Sequence, residues 1–288
     1  MGRPLAIRRL KMPALHTVFF HLTIGFCLAP LLMAEKAGAD TLRRRQTLPL
    51  SVHFATADNL GNIYIVTPQN AVEKYDSDGR LIGRYTNNRA GFAKAVDAAN
   101  PMKVMVWYGD FRTVAFLDRN LTPLGELNLI QAGYPEVRAV AAAADGNLWI
   151  YDEVAFQLKK ISPEGILLAE SPRLNALLPG RLSIETLWDD GSQVYAFSPE
   201  QGLMCFDAHA QFRYRTPLVA DAHSCTASGE RIACLTAQYL LILDRLRLSE
   251  RSLPLPTTAR DPKAAMWLAQ DLLLIQQDAQ LHVWEWRL

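Results

Sequence analysis

Two carboxylates and an imidazole, Asp97, Glu185 and His53, are the residue types from which acid–base hydrolysis is assembled. One carboxylate activates water, the second protonates the leaving group, and the histidine carries the proton between them. They lie far apart in the chain, so this chemistry exists only if the fold brings them together. Their neighbours are largely alanine, which suits side chains that merely fill and solvate a channel mouth equally well. The sequence contains no Gly-x-Ser-x-Gly elbow, no His-Glu-x-x-His zinc helix and no phosphate-cradling glycine loop. No cofactor is therefore expected.

Cys205, His209, His223, Cys225 and Cys234 come nearest to a metal-ligand set. None has the spacing of a zinc knuckle, and His209 falls in a turn after the segment carrying Cys205, so no metal site is expected. Cys225 and Cys234 have another use. If Gly229-Glu230 forms a two-residue hairpin turn, Cys225 faces Cys234 at a non-hydrogen-bonded pair, where Cα atoms lie ~4.5 Å apart. That distance admits a disulfide in an oxidising compartment; two buried thiols are the alternative. Cys205 is expected to be a lone buried residue. Asp76-Ser-Asp-Gly79 opens like a calcium loop, yet its twelfth position is Asn87 and strands flank it. A hairpin turn accounts for it better.

The elements that position these residues follow from internal repetition. A short apolar stretch recurs at Asn62–Val66, Lys103–Trp107, Asn147–Tyr151, Gln193–Phe197, Arg231–Leu235 and Leu272–Gln276, with successive starts 41, 44, 46, 38 and 41 residues apart. A turn signal such as Asp145-Gly146 precedes each stretch, and a further strand follows it, as at Thr113–Leu117 or Gln157–Ile161. Four antiparallel strands about every 40 residues is the spacing of a propeller blade. The spacing thus predicts an all-β, six-bladed β-propeller, in preference to five blades with a hairpin or to seven. The sixth unit ends one strand short at Leu288, and Leu42 to Leu50 has no partner in its own blade. Pairing the two closes the ring and covers an apolar face and a sheet edge.

Residues 1–39 read as a secretory leader, leaving 40–288 as the propeller. Arg3, Arg8, Arg9 and Lys11 form a positive start, Val18 to Ala34 is mostly apolar, and Ala37-Gly38-Ala39 fits the cleavage pattern. His21 and Pro30 leave that run short of the ~20 apolar residues a spanning helix needs. Phe26 before Cys27 argues against a lipoprotein signal. The whole chain has 30 basic and 29 acidic residues, and the part after Ala39 has 25 and 28, so its charge is −3. No basic excess points to nucleic acid. No later segment reaches spanning length, and a monomer free of membrane spans is expected after cleavage.

Loops joining second to third strands gather on one rim. Tyr108, Asp110, Phe111 and Arg112 in one, and Asp152 and Phe156 in the next, are candidate binding residues, because aromatics and arginine anchor interfaces. Burial of Phe111 and Phe156 between blades is the competing expectation. Asp58-Asn-Leu-Gly-Asn-Ile-Tyr64, Lys74-Tyr-Asp76, Asn100-Pro-Met-Lys103 and Tyr108-Gly-Asp-Phe-Arg112 resemble exported six-bladed propellers of the Bacteroidota, in the TolB/NHL-like superfamily. Asn147–Asp152 and Phe156–Lys160 extend the likeness into the third blade. The resemblance implies that fold and a cell-envelope location, and no activity. Together these readings favour a non-catalytic binding or scaffolding module, exported to the periplasm or cell surface, that engages an envelope protein or glycan. A channel-centred hydrolase or lactonase acting on a carbohydrate-derived substrate through Asp97, Glu185 and His53 is the alternative.

Overall fold

The computed structural model describes residues 41–218, 221–228, 231–244, 246–260, 264–269 and 271–287. The leader (1–39) and the Gly229-Glu230 turn lie outside them. The described residues form six four-stranded antiparallel sheets, the blades of a β-propeller. Blade 1 comprises Phe54–Ala57, Ile63–Val66, Ala71–Tyr75 and Leu81–Thr86. Blade 2 comprises Ala93–Asp97, Lys103–Tyr108, Thr113–Asp118 and Pro123–Asn128. Blade 3 follows with Val137–Ala142, Leu148–Asp152, Gln157–Ile161 and Leu167–Glu170. Blade 4 is built from Thr186–Asp189, Val194–Ser198, Gly202–Phe206 and Phe212–Thr216. Ser224–Ser228, Arg231–Leu235, Tyr239–Asp244 and Ser249–Pro254 form blade 5. Ala265–Ala269, Leu272–Gln277 and Gln280–Arg287 form blade 6, whose outermost strand is Thr41–Leu48. Among the described residues, helix is confined to single turns at Leu174–Leu177 and Thr257–Arg260.

Burial explains the apolar repeat. Second strands such as Ile63–Val66 and Leu148–Asp152 are buried at every position, because a neighbouring blade covers each face of the sheet. Outer strands such as Leu81–Thr86 are largely exposed. The core is accordingly divided into six clusters, one per seam between blades. In the seam of blades 6 and 1, Leu272, Leu274 and Leu281 pack with Ala55, Ile63 and Ile65. Lysines cross other seams: Lys74 donates to the Arg119 carbonyl at 2.9 Å, and Lys103 to that of Gly146 at 2.9 Å.

Aspartate turns end the strands. Asp76 Oδ1 accepts the N–H groups of Asp78 and Arg80 at 2.9 and 2.8 Å, so Asp76-Ser-Asp-Gly79 is a hairpin turn. Asp118 repeats this geometry with Asn120 and Thr122, each at 2.8 Å. Its carboxyl is held below the ordinary aspartate range, first by the Thr122 N–H.

Cys225 lies opposite Cys234 in blade 5, the two are joined as a disulfide, and their Cα atoms are 4.2 Å apart. Cys205 is buried and donates to Gln193 Oε1 at 2.7 Å. Loop-entropy arguments allow the bridge ~2.6 kcal/mol, but the strands it joins are already paired. Replacing both cysteines by alanine should lower unfolding stability by only ~1 kcal/mol in a urea titration, with unchanged β-sheet circular dichroism.

Candidate functional site

The sequence-predicted site residues fall in two regions: the central channel and the rim at its entry. First strands of all six blades line a channel of about 1290 Å³. Two of these strands sit differently from the sequence expectation. The sequence suggests Ser183–Leu187 and Ala222–Thr226, whereas the strands are Thr186–Asp189 and Ser224–Ser228. In blade 4 the cause is a tight turn. Asp189 Oδ1 takes the Gly191 N–H at 2.8 Å and Asp190 Oδ1 takes that of Gln193 at 2.8 Å, so pairing extends to Asp189 opposite Val194. Trp188 and Asp189 thereby join the channel wall, which the sequence reading missed.

Of the proposed acid–base set the two carboxylates line the channel and His53 does not, and among the described residues no hydrogen bond joins the three. Asp97 ends its strand opposite Met105, whereas Glu185 precedes the strand that begins at Thr186. Glu185 is exposed at the entry. His53 is absent from the channel lining; it is exposed and meets Phe92 edge-on, with ring centroids 6.3 Å apart. Asp97 works as a clamp: its oxygens accept the N–H groups of Ala99 and of Ala142 in blade 3, each at 2.9 Å. Burial raises its pKa, and the charge of Asp189 raises it further. Asp189 grips blade 3 from the other side, accepting Trp149 Nε1–H at 2.9 Å and the Ala144 N–H at 3.1 Å.

The rim residues divide into supports and exposed tips. Tyr108 is wholly buried in the seam of blades 1 and 2, so it has no surface to offer. Asp152 is also buried. It accepts the N–H groups of Val154 and Ala155 at 3.0 and 3.1 Å and Lys159 Nζ at 2.7 Å, which makes it a turn former. Asp110 takes the Phe92 N–H at 3.1 Å and lies 3.6 Å from Lys94 Nζ. The Phe92 N–H, followed by lesser contributions that include Lys94, holds its carboxyl below the usual range. Half-buried Arg112 donates to the Gly109 carbonyl and to Glu136 at 3.5 Å. Phe111 and Phe156 are exposed, at 55% and 37%, not tucked between blades.

Backbone geometry fixes those tips. Arg112 and Phe156 have φ of 49° and 55°, the left-handed region that side chains avoid. Their carbonyls are thereby turned to accept the N–H groups of Leu129 and Leu174, each at 2.8 Å, which ties each loop to the segment leaving its own blade. Phe92, Ile130, Val154 and Leu177 are further exposed apolar residues in the rim segments of blades 2 to 4, and the sequence reading passed over them. Charges near the entry pair with one another: Arg138 with Glu153 at 3.7 Å, and Arg181 with Glu200 at 3.3 Å.

Fold and site define a propeller with an open channel and an apolar rim. No family model matches the sequence, nor does any curated protein. Similar solved structures are propellers. A streptogramin B lyase superposes with a TM-score of 0.57 at 11% identity, covering 86% of this chain and 98% of that one. The virginiamycin B lyase of Staphylococcus aureus gives 0.54 at 11%, covering 80% and 79%. The Pan2 WD40 domain of Neurospora crassa gives 0.55 at 11%, covering 85% and 95%. At such identity the likeness is one of fold alone.

Proposed function

We propose that this protein is a non-catalytic binding or scaffolding propeller of the bacterial cell envelope, engaging a partner protein through the rim of blades 2 to 4. The carrying observation is the exposure of Phe111 and Phe156 on successive rim loops. Phe156 occupies a left-handed conformation that costs about 1 kcal/mol relative to glycine, and its exposed ring gains little burial in return. Ile130, Val154 and Leu177 add branched aliphatic surface, which matches apolar side chains better than sugar rings. The leader composition and the disulfide support export. The hydrolase reading has less support, because His53 lies outside the channel lining and the Asp97 carboxylate is engaged by two backbone N–H groups.

The test uses residues 40–288 as bait against solubilised envelope of the source organism, beside a Phe111→Ser/Phe156→Ser variant. A protein recovered reproducibly by the parent, and at least about tenfold less by the variant at equal melting temperature, is the expected outcome. Equal recovery by both overturns the reading; loss of glycan-array binding instead assigns the rim to a glycan. Phe156→Gly should raise stability by ~1 kcal/mol while reducing partner recovery.

A further inference from the structure

We infer that the channel binds a small organic cation, a primary or quaternary ammonium compound, at a site that does not include the exposed rim tips Phe111 and Phe156. Small walls make the room: Ala55, Ala95, Ala98, Ala139 and Ala142 are among the lining residues of the roughly 1290 Å³ space. Small-molecule sites typically need ~300–1,000 Å³.

Charge selects the occupant. The described lining residues include six acids, Asp97, Asp110, Glu153, Glu185, Asp189 and Asp190, against three permanent cations, Lys94, Arg112 and Arg138, and one histidine, His223. Each of the three cations already has a carboxylate: Asp110 at 3.6 Å from Lys94, Glu153 at 3.7 Å from Arg138, and Glu136 at 3.5 Å from Arg112. Among the described residues no cation pairs with Asp97, Asp189 or Glu185. Asp97 and Asp189 are held by neutral N–H donors alone, which leaves their mutual repulsion uncompensated. A mobile cation entering the channel relieves it.

The walls decide which kind of cation. Trp107, Trp188 and Trp267 border the space, and indole faces attract ammonium groups of diffuse charge. Among the described residues no three His, Cys, Asp or Glu side chains are grouped to hold a metal ion. A hard divalent ion takes six or more oxygen ligands, whereas an ammonium group asks only for negative potential and aromatic surface.

Titration of residues 40–288 with choline, benzyltrimethylammonium and spermidine, read by tryptophan fluorescence and calorimetry, tests the inference. At least one probe should saturate, and 3,3-dimethylbutan-1-ol, the neutral isostere of choline, should bind about tenfold more weakly than choline or not at all. Glu185→Gln removes an exposed charge and should weaken the bound probe about fivefold with no loss of melting temperature; Trp267→Leu should weaken it similarly, with a lowered melting temperature because Trp267 also packs edge-on against Phe54 in the seam of blades 6 and 1. The Phe111→Ser/Phe156→Ser variant should bind the probe unchanged, so failure here is distinguishable from failure of the rim reading. Saturation by none of the probes, equal binding of choline and its isostere, indifference to both channel substitutions, or a saturable site for magnesium or calcium that no ammonium probe competes for would each overturn it.

Discussion

Gly202→Ala should destabilise the protein by more than ~3 kcal/mol, lowering its melting temperature by about 10 °C. Gly202 begins the third strand of blade 4 at φ +81°, where alanine is already disfavoured. The larger cost is steric. A Cβ there would lie 2.5 Å from the Thr216 carbonyl oxygen and 3.1 Å from both Leu218 N and Pro217 Cα. These are backbone atoms of the adjoining outer strand and its exit, so relief requires moving the chain and not a side chain. Gly191 is the internal control: its φ is +91°, but nothing lies within 4 Å of the added carbon. Gly191→Ala should cost only ~1 kcal/mol. Thermal unfolding of both variants checks the contrast, and equal losses would mean that conformation alone, without the clash, sets the penalty.

Much of this architecture was legible because one physical requirement repeats six times. A second strand covered on both faces must be apolar throughout, and the Asp–Gly turns that precede it recur at blade spacing. Asn147–Tyr151 therefore announced Leu148–Asp152 to within a residue. The first strands were less legible. Their sides meet two different blades and a channel, so they carry no run of one character, and their ends depend on turn hydrogen bonds such as those of Asp189 and Asp190. That is why the sequence ends this strand at Leu187, whereas it runs to Asp189. The rim was half legible. Residue type marked Phe111 and Phe156, but also marked Tyr108 and Asp152, whose burial depends on the facing seam and on Lys159. Chemistry that needs convergence was least legible, because whether residues far apart in the chain meet in the channel is set by strand register and cannot be read from spacing.

Removing Thr41–Leu48 should be the most damaging truncation, even though it deletes only eight residues at one edge. This strand pairs along the length of Gln280–Arg287, with Leu42 opposite Trp286 and Leu48 opposite Leu281. A register shift between Arg44 and Gln46 leaves Arg45 over blade 1, where its Nη1 would lie 3.4 Å from a Cβ at Gly61. Leu48 is buried in the seam of blades 6 and 1, and Thr47 Oγ1 bonds His282 Nδ1 at 3.0 Å. Without the strand, that seam loses Leu48, and the backbone groups of a segment rich in branched and aromatic side chains, Val283, Trp284 and Trp286, become an open edge. Such an edge recruits other chains. Residues 49–288 should consequently be recovered mainly as aggregate, with any soluble fraction melting at least about 10 °C below residues 40–288. Leu48→Ala isolates the packing share, expected at ~2 kcal/mol in urea unfolding with the edge still covered. A soluble, monomeric 49–288 with an unchanged melting temperature would show that the blade 6 to blade 1 seam holds through Leu272, Leu274 and Leu281 alone.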